Sequence, residues 1–486
     1  MMRAGAPKAA AAPPLVAPRF ARSTVAFACM AMLVSYLPFS AVNGILGTIG
    51  SATGAHEAQL QWVSDAFALT LAGTVLSAGV LSDLYGRRRV AIVGLSLTVL
   101  GGMLGFAAGW LHGGPSILML TAAEGVAGLG GGAVMSSTLG LIAAGAADIS
   151  ARNRAIAAWA AAVVGGLGSG PFLAGVVTAV ASWNWLFVPI CFIALAVLWF
   201  GVARAQESAS PAGRRLDWPG QLTGAIAIAA LIGGIIQGGA SGWGSPIAVG
   251  ALSLAAVALV GFIVVEQRSA SPLLREELFE SGGFTAASVA AMAVLFSLVG
   301  IVFVLSLFFA HQDVSNMGIA VRLGCLFGAN AVASLAAAAL QTALGPRIVL
   351  IAGLLITAAG MVALLSISDT SGLGGVALQL VVAGVGSGLV MATTSSVAVH
   401  SVSIELAGMA GAANNAIRQV GSALGTAALG VVLTTRLHEG VSFAGAVHSC
   451  IDAVVGLLVA AALAAAVLLF GHRFTLRGWR TVKKIA

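Results

Sequence analysis

Charged residues are scarce in this chain of 486 residues, in which Asp, Glu, Lys and Arg make up 8% and hydrophobic residues 59%. Soluble domains carry about 25% charged residues. A chain this apolar cannot cover itself with polar surface in water, so lipid must be its solvent. We therefore expect an all-α, polytopic membrane protein, because a helix satisfies its backbone hydrogen bonds within one segment.

Cysteine and the usual catalytic motifs are also scarce. The four cysteines all lie in apolar runs and no two have CxxC spacing, which argues against a disulfide or a metal site. The glycine-rich run 128–133 fits a GxGxxA pattern, but no strand precedes it, so it does not predict a nucleotide loop. We expect no enzymatic activity, no metal and no cofactor. Without an ATPase domain, transport would need an ion gradient.

Apolar runs of about 20 residues, long enough to cross a bilayer, are abundant instead. There are fourteen, arranged as six, two and six around two polar stretches. The predicted parts are a cytoplasmic tail 1–23, a six-helix bundle 24–203, a linker 204–219, two inserted helices 220–265, a linker 266–283, a second six-helix bundle 284–471 and a basic tail 472–486.

The basic residues give an orientation. With the N-terminus in the cytoplasm, 20 of the 23 Lys and Arg residues fall in cytoplasmic segments, one (Arg436) falls outside, and Arg322 and Arg418 fall within spans. This is the positive-inside pattern, and it predicts that both termini lie in the cytoplasm. It also argues against nucleic acid as a partner despite the net charge of +7, since the basic residues are spread along one membrane face. The Ala/Gly-rich composition points to a bacterial cell membrane.

The loop between spans 2 and 3 combines glycines with charges, namely Gly79, Asp83, Gly86, Arg87 and Arg88. Glycine permits a tight reversal, and arginines at this level can bind lipid phosphates or helix ends. One interpretation is a simple topology anchor. The spacing, however, resembles the G-x-L-x-D-x-x-G-R-[RK] signature of the major facilitator superfamily. The resemblance implies a two-state cytoplasmic latch with Asp83 and Arg87 as its charged parts.

Span 5 carries small residues four apart, with Gly166, Gly170, Pro171 and Gly175 in the run. Such a face allows close helix packing, and the proline bends the helix. The run resembles the G-x-x-x-G-P-x-x-G-G motif of antiporters in the same superfamily, with Ala174 in place of one glycine. The resemblance implies export rather than uptake.

Five further stretches resemble the branch of fourteen-span drug:proton antiporters: residues 61–67, 183–189, 217–220, 266–274 and 411–421. The resemblance implies the major facilitator fold, with two six-helix bundles around a central cavity and the inserted pair at the periphery. It also implies proton-driven efflux of small amphiphilic compounds such as drugs, antibiotics or dyes, by rocking of the bundles.

Two departures from the branch affect proton coupling. Proline occupies position 38, where the branch usually has an acidic residue, and Glu124 occupies a position that is usually arginine. Glu124 lies about 12 Å into span 4 at 1.5 Å per residue. Desolvation there favours its neutral form, so we predict proton coupling at Glu124 and at Asp65 of span 2. The alternatives are an ion pair of Glu124 with Arg322 or Arg418, and a role for Asp65 at an interface.

Polar residues within the spans are the candidates for cavity lining. Asn414, Asn415, Arg418 and Gln419 recur at helical spacing, which favours either a cavity face or hydrogen bonds between helices. Two further candidates are Asn43 of span 1 and Arg322 of span 10; Arg322 is also close enough to the span end to snorkel.

The sequence as a whole predicts a proton-coupled exporter of small molecules. We expect a small-molecule substrate, protons and membrane lipid as its partners, and a monomer. Two alternatives are a carrier that exports or imports a specific metabolite, and a transporter-like membrane sensor without flux.

Overall fold

The computed structural model describes residues 22–145, 149–209, 217–269, 272–403 and 406–470. Nearly all of the predicted tail 1–23, the tail 472–486 and residues 210–216 of the predicted linker lie outside the described residues. The described part is helical and contains no strand. Its helices are α1 Arg22–Gly44, α2 Leu46–Thr53, α3 Glu57–Tyr85, α4 Arg87–Ala108, α5 Gly114–Gly145, α6 Ile149–Thr178, α7 Phe187–Arg204, α8 Trp218–Ser241, α9 Pro246–Arg268, α10 Glu277–Glu280, α11 Gly282–His311, α12 Asn316–Leu344, α13 Pro346–Ala363, α14 Leu373–His400, α15 Ala407–His438 and α16 Phe443–Phe470.

Most of these helices are long and apolar enough to cross a membrane, which confirms the predicted all-α membrane architecture. Thirteen of the described helices meet this test individually. Helix α3 bends by 51° between Val75 and Ser77, and counting it as one span makes fourteen. The first predicted span is interrupted after Gly44, where the chain turns at Ile45 before α2 begins.

Two sets of six long helices pack in the same pattern. In the first set α3 and α4 pack on α5, and α1 packs on α6; in the second set α12 and α13 pack on α14, and α11 packs on α15. The sets, which we call the first and second bundles, meet along two symmetry-related lines of contact. These are the α3–α15 seam and the α6–α12 seam. Such internal repeats are common in secondary transporters.

Glycines let the helices approach closely within each bundle. A Cβ on Gly94 of α4 would lie 2.7 Å from the carbonyl oxygen of Gly130 on α5. In the second bundle, a Cβ on Gly386 of α14 would lie 2.7 Å from the carbonyl oxygen of Gly353 on α13. Backbones in direct contact gain van der Waals packing, which drives helix association in lipid.

The two inserted helices lie at one side of the molecule. Helices α8 and α9 form a hairpin, and α8 packs on both α3 and α15, so it covers the α3–α15 seam. Helix α8 begins where Asp217 accepts a hydrogen bond from the backbone N–H of Gly220 at 2.9 Å, which satisfies one of the free donors of the first turn. Only 17% of the α9 span is buried, against 89% for α11, so α9 is peripheral.

Candidate functional site

The charged loop lies between α3 and α4. Gly86 adopts φ +108°, a conformation that side chains rarely allow, and its N–H donates to the Ser82 carbonyl at 3.1 Å. Arg87 binds the Asp83 carboxylate, with 2.7 Å between Nη2 and Oδ1. The structure therefore joins the two charged residues that the sequence singled out. We call this side of the molecule the loop end.

Glu207, just after α7, is a partner of this loop that sequence reasoning missed. Its carboxylate accepts hydrogen bonds from the backbone N–H groups of Arg88 at 2.9 Å and Arg89 at 3.2 Å. The free N–H groups and the dipole of a helix N-terminus favour an anion there. The N–H of Arg87 also donates to the Ser208 carbonyl at 2.8 Å. The chain leaving α7 is thus fastened to the start of α4.

At the end opposite to the loop, polar contacts join the two bundles. Asn316 of α12 accepts from the Thr48 hydroxyl at 2.9 Å and donates to the Thr178 hydroxyl at 2.9 Å. A Cβ on Gly175 of α6 would lie 2.9 Å from Cα of Met317, so the backbones of α6 and α12 nearly touch there. These contacts close the gap between the two bundles at this end of the molecule.

A small cavity lies at the centre, between the bundles. Its volume is about 10 Å³, room for roughly one water molecule. The first bundle contributes Tyr36, Phe39, Phe67, Ala68, Val163 and Leu167, and the second contributes Leu295, Val299, Met391, Arg418, Gln419 and Ser422. The side chains around it leave too little space here for a drug-sized molecule.

Aromatic rings form the wall from the first bundle. Phe39 and Phe67 stack, with 5.0 Å between ring centroids and 23° between planes, and Tyr36 is tilted against Phe67 at 5.7 Å. The sequence pattern does not single out these rings, since aromatic residues at helical spacing in an apolar span look like ordinary core residues. Their place in the cavity wall becomes evident only when α1 is packed beside α3.

The polar residues of the opposite wall come from α15, as its helical spacing allowed, while α11 and α14 add apolar side chains. The amide of Gln419 donates across the bundle interface to the Tyr36 hydroxyl at 2.8 Å. Arg418 is 6% exposed and donates to the side-chain oxygen of Asn415. Within the described residues, no carboxylate lies within 4.0 Å of the Arg418 guanidinium.

Glu124 is buried in the first bundle, 1% exposed, and neither of its carboxylate oxygens has a hydrogen-bond partner among the described residues. One turn further along α5, Gly128 packs directly on the Phe67 carbonyl, which places Glu124 at about the level of Asp65. Gly128 contacts α3 and Ala127 contacts α4, and Glu124 lies between these two positions around α5. In the described part of the chain, Glu124 makes no ion pair with either Arg322 or Arg418.

Asp65 lies on the α3–α15 seam and is fully buried. The polar side chain close to it is Thr426 of α15. By distance and angle, neither Asp65 oxygen accepts a hydrogen bond within the part of the chain that the structure describes.

The remaining candidates lie outside the cavity wall. Asn43 accepts from the Ser64 hydroxyl at 2.9 Å, which links α1 to α3. Asn414 is 1% exposed, and its side-chain amide finds no partner among the described residues. Arg322 donates to the Gly318 carbonyl at 3.1 Å and lies over the Phe309 ring, 5.1 Å from its centroid. Of the six candidates for cavity lining, the structure places Arg418 and Gln419 in the wall.

The glycines of α6 hold it close to α1. A Cβ on Gly170 would lie 2.6 Å from the backbone nitrogen of Ala41, and the Ser40 hydroxyl donates to the Gly166 carbonyl at 2.9 Å. Pro171 packs on Gly44, whose Cβ would lie 3.0 Å from Cα of the proline. The small-residue face predicted for span 5 is therefore a helix contact, as its spacing suggested.

Comparisons with known proteins agree with this architecture. Residues 28–426 match the family model of the Major Facilitator Superfamily. The chain is 32% identical over 413 residues to the multidrug resistance protein Stp of Mycobacterium tuberculosis (strain CDC 1551 / Oshkosh), covering 84% of the chain and 75% of that protein. It is 30% identical over 387 residues to the tetracenomycin C resistance and export protein of Streptomyces glaucescens, covering 79% and 71%.

Among solved structures, the fold resembles that of the xylose transporter XylE from E. coli in a partially occluded inward open conformation. The TM-score is 0.63 at 14% identity, covering 92% of this chain and 97% of that one. At this identity the likeness concerns the fold alone.

Proposed function

Because the chain belongs to the major facilitator superfamily and is a transporter rather than an enzyme, we propose that it exports small amphiphilic compounds, such as drugs, antibiotics or dyes, in exchange for protons. Relatives at about 30% identity are named as resistance and export proteins, which supports efflux as the direction. The closely packed Gly166–Gly175 run on α6, which resembles the antiporter motif, supports the same direction.

The observation that carries proton coupling is the pair of unpartnered buried carboxylates. Asp65 and Glu124 lie at about the same level, one on the seam between the bundles and the other inside the first bundle. Carboxylates within a membrane are costly unless they are neutral or paired, and such residues commonly serve proton relays. When the bundles part, water would reach Asp65 and allow it to release its proton.

Alternating access would use the two seams. In this structure, Asn316 joins the bundles at the end opposite to the loop and Gln419 binds Tyr36 at the centre. Separation of the bundles at the loop end would open the cavity there, with Asp83 and Arg87 acting as the latch. On this proposal the protein works as a monomer in a bacterial plasma membrane, with the loop end and both termini on the cytoplasmic side.

The decisive experiment measures proton movement together with flux. A drug or dye that the chain exports from pump-deficient cells is added to the purified full-length protein in weakly buffered detergent. Antiport predicts that substrate binding releases protons from the purified protein. In proteoliposomes, it predicts that a pH gradient driving protons inward accelerates efflux of the substrate. An efflux rate that does not depend on the pH gradient would refute proton coupling. Binding without any flux in cells or proteoliposomes would identify a sensor instead.

A further inference from the structure

The central cavity carries a charge of one sign. Arg418 is the charged residue in its wall, and the buried acids Asp65 and Glu124 do not belong to the lining. The other polar groups of the wall are the hydroxyls of Tyr36 and Ser422 and the amide of Gln419. Among the described residues that line it, the cavity therefore offers a cation and hydrogen-bond donors, but no carboxylate.

Arg418 lacks the counter-ion that a buried guanidinium normally requires. It is 6% exposed, it donates to the neutral Asn415, and within the described ranges no carboxylate lies within 4.0 Å of it. A cation at membrane depth is costly unless it is paired or hydrated. The charge is thus available to an anion that reaches the cavity.

The wall facing Arg418 suits a flat, apolar group. Phe39 and Phe67 stack at 5.0 Å, and Tyr36 adds a third ring beside them. Aromatic surfaces of this kind bind planar rings by offset or edge contacts, with large apolar area and defined geometry. An occupant would then lie between aromatic rings of the first bundle and a guanidinium of the second.

We propose that the central cavity selects aromatic anions, with Arg418 as the counter-charge of a carboxylate, sulfonate or phenolate group and the Phe39–Phe67 pair as the ring platform. This inference rests on the proposed export function and names its substrate class. Cations are disfavoured because the wall offers them a like charge and no acid. A membrane potential that is negative inside also drives an anion outward.

The Gln419–Tyr36 hydrogen bond limits access to this subsite. It connects the two walls at 2.8 Å, and the cavity beside it has room for about one water molecule. Because Tyr36 belongs to the first bundle and Gln419 to the second, separation of the bundles breaks the bond and frees both groups for the substrate.

A matched pair of dyes tests the inference in cells that lack their own efflux pumps. Fluorescein, loaded as its diacetate, and rhodamine 123 share the xanthene ring system but carry opposite charge. Wild-type protein should export fluorescein at least about tenfold faster than rhodamine 123, the scale of one charge-assisted contact. Faster export of rhodamine 123 would overturn the anion subsite while leaving export intact. Export of neither dye, nor of any drug in a resistance panel, would overturn the proposed function as well.

Variants locate the effect at Arg418. Arg418→Gln should lower fluorescein export about tenfold or more and reduce the preference for the anion, whereas Arg418→Lys should keep the preference. The control is Arg436→Gln on the same helix, where the arginine is exposed and paired with Glu439 at 2.9 Å. Each variant is quantified in the membrane fraction, and the wild-type dye pair remains decisive if Arg418→Gln does not fold. An equal loss of both dyes in folded Arg418→Gln would contradict the inference.

Discussion

The two seams between the bundles are related by the internal repeat, yet they differ in what covers them and in what they bury. The α3–α15 seam is covered by α8 and buries Asp65 and Gln61. On the α6–α12 seam the helices meet through Gly175 against Met317 and Gly324 against Phe172, and Phe172 is 39% exposed. The covered seam therefore buries a carboxylate, whereas the polar contact described on the other seam is the neutral Asn316–Thr178 hydrogen bond.

This difference suggests a use for the inserted hairpin. A carboxylate that faces lipid is costly, and a helix that covers the seam removes Asp65 from that environment. Trp62 of α3 packs on α8, where a Cβ on Gly233 would lie 3.3 Å from the indole ring. Because α8 contacts both bundles, it also has to slide over at least one of them when they rock.

The largest expected effect comes from neutralising the acids. Asp65→Asn and Glu124→Gln each remove a proposed proton carrier with little change in shape, so on this proposal export should fall by about tenfold or more. Efflux from pump-deficient cells, with and without a pH gradient, measures the loss.

The control for these variants is Asp452→Asn, which alters an exposed carboxylate on α16 and should leave export unchanged. If Asp65→Asn is impaired and Glu124→Gln is not, coupling lies on the covered seam alone. If both acid variants export normally against a drug gradient, the coupling assignment is wrong.

Substitution of the closely packed glycines by alanine should have a smaller effect, and the loss of stability should differ between the two seams. The Cβ of Gly175→Ala would meet the backbone of Met317, which cannot move aside, whereas that of Gly430→Ala would meet the Gln61 side chain, which can rotate. We expect Gly175→Ala to lower stability by about 1–3 kcal/mol and Gly430→Ala by less. Thermal unfolding of the purified proteins in detergent measures both.

The control here is Gly250→Ala on the peripheral α9, because no atom lies within 4 Å of the added methyl group. Its unfolding temperature should match that of the wild type. Equal losses for Gly175→Ala and Gly430→Ala would contradict the expected difference and mean that the two seams tolerate separation alike.

The smallest effect concerns the contact of the hairpin with the covered seam. Trp62→Phe keeps an aromatic ring against α8 but reduces its area, so the cost should stay below about 1.5 kcal/mol, with export nearly unchanged. Thermal unfolding and dye efflux measured on the same preparation check this. A large loss of export at normal stability would indicate that α8 takes part in transport.

Most of the fold could be predicted from the sequence, because lipid leaves few solutions for long apolar runs. The polar stretches around residues 220–265 predict a separate pair of spans, the family resemblance marks this pair as an insertion, and helical spacing predicts that Arg418 belongs to a polar face. The charged loop was found because glycine and paired charges leave a strong local pattern.

The rest depends on which helices become neighbours. Tyr36, Phe39 and Phe67 look like ordinary core residues until α1 and α3 are side by side. Glu207 lies 119 residues after Arg88 in the chain, and no local pattern connects them. Asn414 and Arg418 share a helix and a polar face, yet only Arg418 reaches the cavity wall.

A central space that holds about one water molecule has a consequence for how tightly any cargo is held. On the proposed mechanism the cargo binds only an open conformer. The measured affinity is then the intrinsic affinity multiplied by the fraction of molecules already in that conformer. A shift of the equilibrium toward the open form would therefore tighten apparent binding without adding a single contact to the cargo. Weak affinity for a good substrate is what such a carrier should display at rest.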